Sequence, residues 1–118
     1  MLVIRSETME ELKELTRNKF VNRMIHHLKH FFPNSLDVKS DRKLRDLIHE
    51  GIYKANSYNM TRECDVARFI DLMVAIHPNF DFNPQTVWTH EILKDLSLTA
   101  DNRLNKIIHQ LRTSNVEA

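Results

Sequence analysis

His26 and His30 stand four residues apart in the run HHLKH, a spacing that puts two imidazoles on one helix face, as two zinc ligands would require. A complete site needs a third ligand and a supporting carboxylate, and the sequence places neither at a matching interval. HxxxH without HExxH is ordinary on a solvated helix face, so the pair reads as surface histidines and no metal is expected. His90-Glu91 likewise lacks the rest of a zincin motif. Asp81-Phe82-Asn83-Pro84 opens like a calcium loop but has no later glycine or bidentate acid, so Asp81 and Asn83 are expected to cap the loop they stand in. The single cysteine, Cys64, falls in the first turn of a helix, where a thiol is activated, but Glu63 and Asp65 beside it oppose that effect and no histidine is placed as its base.

Asp71 lies between Ile70 and Leu72 on the most apolar helix pattern of the chain. A carboxylate there either occupies a solvated strip or is buried against a cation such as Arg23, Arg42 or Arg68, with Arg68 also within local reach three residues before it. The basic residues Arg42, Lys43, Arg45 and Lys54 alternate with Asp41, Asp46 and Glu50, a mixed solvated face and not a phosphate track. The turn over 56–61 between two helices suggests a helix-turn-helix, but the helix after it is too apolar to expose base-reading side chains. No phosphate loop, triad or catalytic carboxylate pair can be identified. The expectation is a protein that is not an enzyme and needs no cofactor.

The elements that hold these residues are helical. Over 7–31, Met9, Leu12, Leu15, Phe20, Met24, Leu28, Phe31 and Phe32 recur at three- and four-residue steps as one apolar stripe. Thr8 with Glu11 resembles a capping box, with Ser6 as the competing cap, and Phe32-Pro33 ends the helix. A second helix starts at Ser40 or Asp41 and buries Leu44, Leu47, Ile48, Ile52 and Ala55. Gly51 inside it predicts a close helix–helix contact, since glycine there otherwise loses about 1 kcal/mol against alanine. Thr61 is the expected cap of a third helix whose inner face is Val66, Phe69, Ile70, Met73 and Ile76, apolar nearly all round and hence central. After the loop HPNFDFNPQT, whose two phenylalanine rings are expected to fold onto the core, come a short helix around 87–93 carrying Trp88 and a last one defined by Leu104, Ile107, Ile108 and Leu111. The tail from Thr113 is expected to fray and be disordered. The prediction is all-α: one compact helical domain over 1–118, a bundle of about five helices.

With 118 residues, 42% apolar and 28% charged, the chain has the composition of a globular domain. One Gly and three Pro leave long helices little interrupted. The net charge of +1, from 17 basic and 16 acidic residues, supplies no general excess for nucleic-acid binding, and none is expected. No apolar run approaches the ~20 residues of a membrane span, and a lone cysteine with no secretory leader points to the cytoplasm.

The pattern Phe20-x-x-Arg23-Met24-x-x-His27-Leu28, Phe32-Pro33, Gly51-Ile52-x-x-Ala55-x-x-Tyr58 resembles small helical bacterial proteins encoded beside type VI secretion effectors. It continues through Thr61-x-Glu63-x-Asp65-Val66-x-x-Phe69-x-Asp71-Leu72-Met73, Phe80-Asp81-x-Asn83-Pro84, Trp88 and Ile92-Leu93. The chain departs from it at His77-Pro78, where glycine-proline is more usual, and at Val87, where proline commonly precedes the tryptophan. The resemblance implies a fold-defining signature of Arg23, Gly51, Thr61, Asp71 and Trp88. It implies either an immunity protein that binds a cognate effector toxin acting in the cytosol, for example a nuclease, and occludes its active site, or an adaptor that loads an effector onto the secretion spike; immunity is the favoured reading. Against a basic toxin cleft, the acidic groups would be either Glu7, Glu10, Glu11 and Glu14 on the first helix or Glu63 and Asp65 on the third, all of which also suit a helix N-terminus. Helices this apolar also allow a homodimer.

Overall fold

The structure, a computed structural model, describes the backbone of residues 6–34 and 40–117 and the side chains of 13–34 and 40–113. It is all-helical, with five helices and no strand among the described residues: α1 (Ser6–Phe31), α2 (Asp41–Ser57), α3 (Glu63–Ala75), α4 (Trp88–Leu93) and α5 (Ala100–Glu117). None is long and apolar enough to cross a membrane. The chain divides into two compact units, residues 1–48 and 49–118, with the boundary inside α2.

In the first unit, α1 buries Phe20, Val21, Met24, Ile25 and Leu28. Leu15 and Phe31, expected on the same apolar stripe, are 56% and 63% exposed. Leu15 falls about 80° or more around the helix from each member of the buried set, and Phe31 is in the final turn, its ring tilted against His27 and edge-on to His30 at 4.8 Å each. The expected cap residues of α1, Ser6, Thr8 and Glu11, have side chains outside the described ones. Beside α1, Ser40 caps α2: its hydroxyl accepts from the Lys43 N–H at 3.4 Å and its carbonyl from the Leu44 N–H at 2.9 Å. Lys29 pairs with Asp41 at 2.5 Å, and Arg45 donates to Asn22 Oδ1 at 3.1 Å. As the α1 number rises the α2 number falls, so the start of α2 runs antiparallel along α1.

In the second unit, α2 ends because Asn59 adopts a left-handed conformation (φ 63°). The Met60 N–H then reaches the Ala55 carbonyl at 2.9 Å and the Asn59 N–H that of Asn56 at 3.0 Å, which satisfies carbonyls the helix leaves open. The backbone is still extended at Arg62, the residue flanking α3, and no side chain caps that helix. Thr61 therefore does not fill the capping role expected of it: it is exposed, one position too early for its hydroxyl to meet the first free N–H groups. α3 buries Val66, Phe69, Ile70, Leu72 and Met73 and packs against α5. Arg68 crosses to α5 as well, donating to Asp101 and Asn105 at 2.6 Å each, while Asp71 one turn on is half-buried. Thr99 caps α5 by accepting from the Asn102 N–H at 3.1 Å, and the helix runs on past Thr113 to Glu117.

Gly51 makes the close contact its position in α2 demanded. A Cβ built there would lie 2.5 Å from Ile70 Cγ1 and 3.1 Å from Met73 Sδ. Gly51→Ala gains about 1 kcal/mol of helix propensity and meets an overpacking penalty of about 1–3 kcal/mol. The expected outcome is a net loss of about 1 kcal/mol in urea unfolding, reduced when Ile70 is shortened to Ala in the same chain; a plain stabilisation by Gly51→Ala would contradict this packing.

Candidate functional site

The one polar centre built into the core of the second unit lies around Asp81. This carboxylate is 1% exposed, although it belongs to the loop between α3 and α4. A buried carboxylate is tolerated only when charged or strongly donating groups meet it. Lys54 in the last turn of α2 and Tyr58 directly after its end do so: Tyr58 donates its hydroxyl to Asp81 Oδ2 at 2.7 Å, and Lys54 Nζ approaches Oδ1 at 3.3 Å. The Lys54 ammonium also donates to the Pro78 carbonyl at 3.0 Å and to Asn79 Oδ1 at 2.8 Å, so its three protons converge on one loop. Asp81 is thus not the local loop cap expected of it, because its oxygens are turned inward to α2. Asn83 does behave as expected, its side chain accepting from the Gln85 N–H at 3.0 Å.

His90 of α4 completes the centre. Its Nδ1 lies 2.9 Å from the Tyr58 oxygen, and since the single phenolic proton is committed to the carboxylate, the geometry assigns the proton of this second bond to Nδ1. Burial, then the hydrogen bond to and the charge of Asp81, push the Tyr58 hydroxyl well above its ordinary value of 10.0. Tyr58 therefore stays protonated as a donor and is not poised as a base or nucleophile. The rings form a continuous line from core to surface: Phe80 to Phe69 at 5.3 Å, Phe69 to Tyr58 at 6.0 Å, Tyr58 to His90 at 5.8 Å, and His90 to Phe82 at 4.9 Å. Phe80 is fully buried, as expected for one of the loop's two rings. Phe82, expected to be its companion, is 63% exposed and meets the line at His90, with the two rings tilted 38° to one another. Adjacent residues in extended or turning chain point to different sides, so with Asp81 drawn inward Phe82 is turned out.

Arg103 holds the centre from below. It is 3% exposed, and its Nη1 donates to the carbonyls of Tyr58 and Leu93 at 2.6 Å each, tying α5 to the end of α2 and the end of α4. Its buried Nε has no partner among the described residues. The loop is closed above by Thr86, whose hydroxyl donates to the Phe80 carbonyl at 2.6 Å, and by Thr89, whose hydroxyl donates to the Thr86 carbonyl at 2.8 Å and lies 3.3 Å from the same Phe80 oxygen. The result is a short loop fixed at several points that presents Phe82 and, at the start of α4, Val87, which is 46% exposed.

Of the two acidic clusters expected as alternatives, Glu14 of the first and Glu63 of the second are exposed. Asp65 is 6% exposed and cannot serve as a surface anion, because α3 turns that side of its first turn inward. Glu7, Glu10 and Glu11 stand on α1 with side chains outside the described ones. Of the signature residues, Gly51 is a packing contact, Trp88 and Asp71 are half-buried, and Arg23 and Thr61 are exposed. Cys64 is exposed. His26 and His30 are exposed too, and no group of three potential metal ligands occurs among the described residues. Lys54, Tyr58, His90 and Arg103 were not foreseeable as a set. Their one trace in the sequence is the four-residue step from Lys54 to Tyr58, which places them on one side of the end of α2.

Compared with protein-family models, curated proteins and solved structures, the chain finds no match.

Two measurements test this centre. Asp81→Ala takes the counter-charge from the part-buried Lys54 ammonium and the acceptor from the Tyr58 hydroxyl and is expected to lower unfolding stability by about 2–4 kcal/mol, whereas a surface acid such as Glu91→Ala changes it by less than about 0.5 kcal/mol. Because the folded-state pKa of Tyr58 is raised, its contribution is fully present below the unfolded value near 10 and is lost as pH rises beyond it. Stability is expected to fall above about pH 10, and that fall is expected to shrink in Tyr58→Phe; an identical alkaline profile in both proteins would contradict the assignment.

Proposed function

We propose that this chain is a non-enzymatic protein-binding module, an immunity protein that neutralises a type VI secretion effector toxin by covering its active site or substrate groove. The observation that supports this reading is Phe82, a large ring 63% exposed on a loop pinned from beneath through Asp81. An exposed aromatic contributes nothing where it stands, whereas burying it in a partner's pocket is worth about 1.5–3 kcal/mol. Aromatic side chains are the usual anchors of tight interfaces, and a loop already held in shape loses little entropy on docking. Val87 enlarges the apolar centre, and Glu91 and Lys94, an exposed pair at 3.3 Å on α4, provide a charged edge. Tyr58, whose hydroxyl is held protonated, supports presentation of the loop and not chemistry.

Burial of Asp65 leaves the acidic element on α3 with Glu63, while Glu14, the described acid of the α1 cluster, is exposed. An apolar anchor with a mixed rim is therefore the mechanism we favour, in place of phosphate mimicry.

Phe82→Ala is expected to weaken the complex with the toxin encoded next to this chain by about 100-fold in a calorimetric titration, with helicity and melting temperature unchanged. Co-expression of the unaltered chain should rescue cells from that toxin. Full toxicity despite co-expression would rule the reading out, and loss of effector secretion on deleting the gene, with kin still resistant, would point to a loading adaptor.

A further inference from the structure

The near-balanced total charge conceals a segregation along the chain. Residues 1–48 hold ten Lys or Arg and seven Asp or Glu, a net charge of +3, while residues 49–118, with seven and nine, carry −2. A charge asymmetry of this kind marks an electrostatic surface that the overall sum does not disclose. In the structure the excess is displayed on one unit. Every exposed side chain of α1 between Leu15 and Phe31 is polar, none is acidic, and they include Lys19, Arg23, His26 and His30. Arg45, bonded to Asn22 at 3.1 Å, sets its guanidinium beside α1 one turn from both Lys19 and His26. Lys29 and Asp41 pair at 2.5 Å, and the charge of Arg45 also acts on Asp41.

We propose that this face of α1 and the first turns of α2 binds the phosphate backbone of a nucleic acid, without reading its sequence. Three observations favour that occupant. Arg42 and Lys43 occupy the first turn of α2, where the helix dipole disfavours cations, so helix stability does not account for them. An open depression of about 360 Å³ bordered by Thr16, Lys19, Asn22 and Arg23 brings two cations to the edge of one space, a basic rim that a phosphate can approach. Between Leu15 and Phe31, which are themselves exposed, the face shows no exposed apolar side chain, so charge is the main means of attachment it offers. The assignment reverses the expectation drawn from net charge alone. It is also independent of the Phe82 surface, which belongs to the other unit.

The test is fluorescence anisotropy of a labelled 20-base-pair duplex of arbitrary sequence titrated with the full chain. Neutralising about four phosphates gives a slope of about −3.6 in log affinity against log salt, a loss of about 150-fold between 50 and 200 mM salt. Lys19→Gln is expected to reduce the slope by about 1, and the pair Lys19→Glu and Arg42→Glu to weaken binding at least about 10-fold with an unchanged circular dichroism spectrum. Lys94→Glu with Lys106→Glu, on the other unit, and Phe82→Ala should leave it as it was. Absence of binding at 50 mM salt overturns the proposal, as does equal weakening by the Lys94 and Lys106 pair. Equal affinity for polyglutamate overturns it in favour of an acidic polypeptide.

Discussion

A carboxylate with almost no access to water governs the second unit of this protein. Once Asp81 is drawn inward, donors must be waiting for it, and only Lys54 on α2 and Tyr58 directly after its end meet it with both charge and proton. That requirement fixes how the loop after α3 lies against α2, and hence where α4 begins. Tyr58 then orients His90, Arg103 ties the Tyr58 carbonyl to the last turn of α4, and α5 is brought into the same arrangement. The apolar core around Phe69 and Phe80 supplies most of the favourable free energy, but it is non-directional. The polar centre adds direction, because hydrogen bonds have a geometry that burial alone does not.

The same economy of contacts explains how α2 serves two neighbours. Toward α3 it offers Gly51, where the absence of a side chain lets Ile70 and Met73 approach. One turn later it offers Lys54 and, directly after its end, Tyr58, whose length reaches the loop. Its left-handed end at Asn59 and the buried Met60 turn the chain toward α3 without a capping side chain.

The helices were legible in the sequence because an apolar side chain every three or four residues is a local, repeating signal. Gly51 was legible for a related reason: a glycine inside a strong helix pattern needs a neighbour that excludes a Cβ. What escaped was non-local or one-sided. Lys54, Tyr58, Asp81 and His90 come from a helix, a loop and another helix, and no spacing rule links them. Periodicity reports which residues suit a core and not how far the core extends, so Leu15 and Phe31 matched the stripe yet emerged exposed. Thr61 suited a cap by type, and the backbone began α3 beyond its reach. Asp65 shows the converse limit, since an acid in a first turn is favoured by the dipole whether or not that turn faces water. Summed charge hid the basic unit because opposite excesses elsewhere cancelled it.

Asp81 and Phe82, joined by one peptide bond, divide architecture from outward identity. A change at the inner position must be matched by α2, whereas the outer ring touches only His90 among the aromatic line and can be exchanged with little internal adjustment. A lineage carrying this fold could thus acquire a different molecular counterpart through a single codon while its interior stayed as it is.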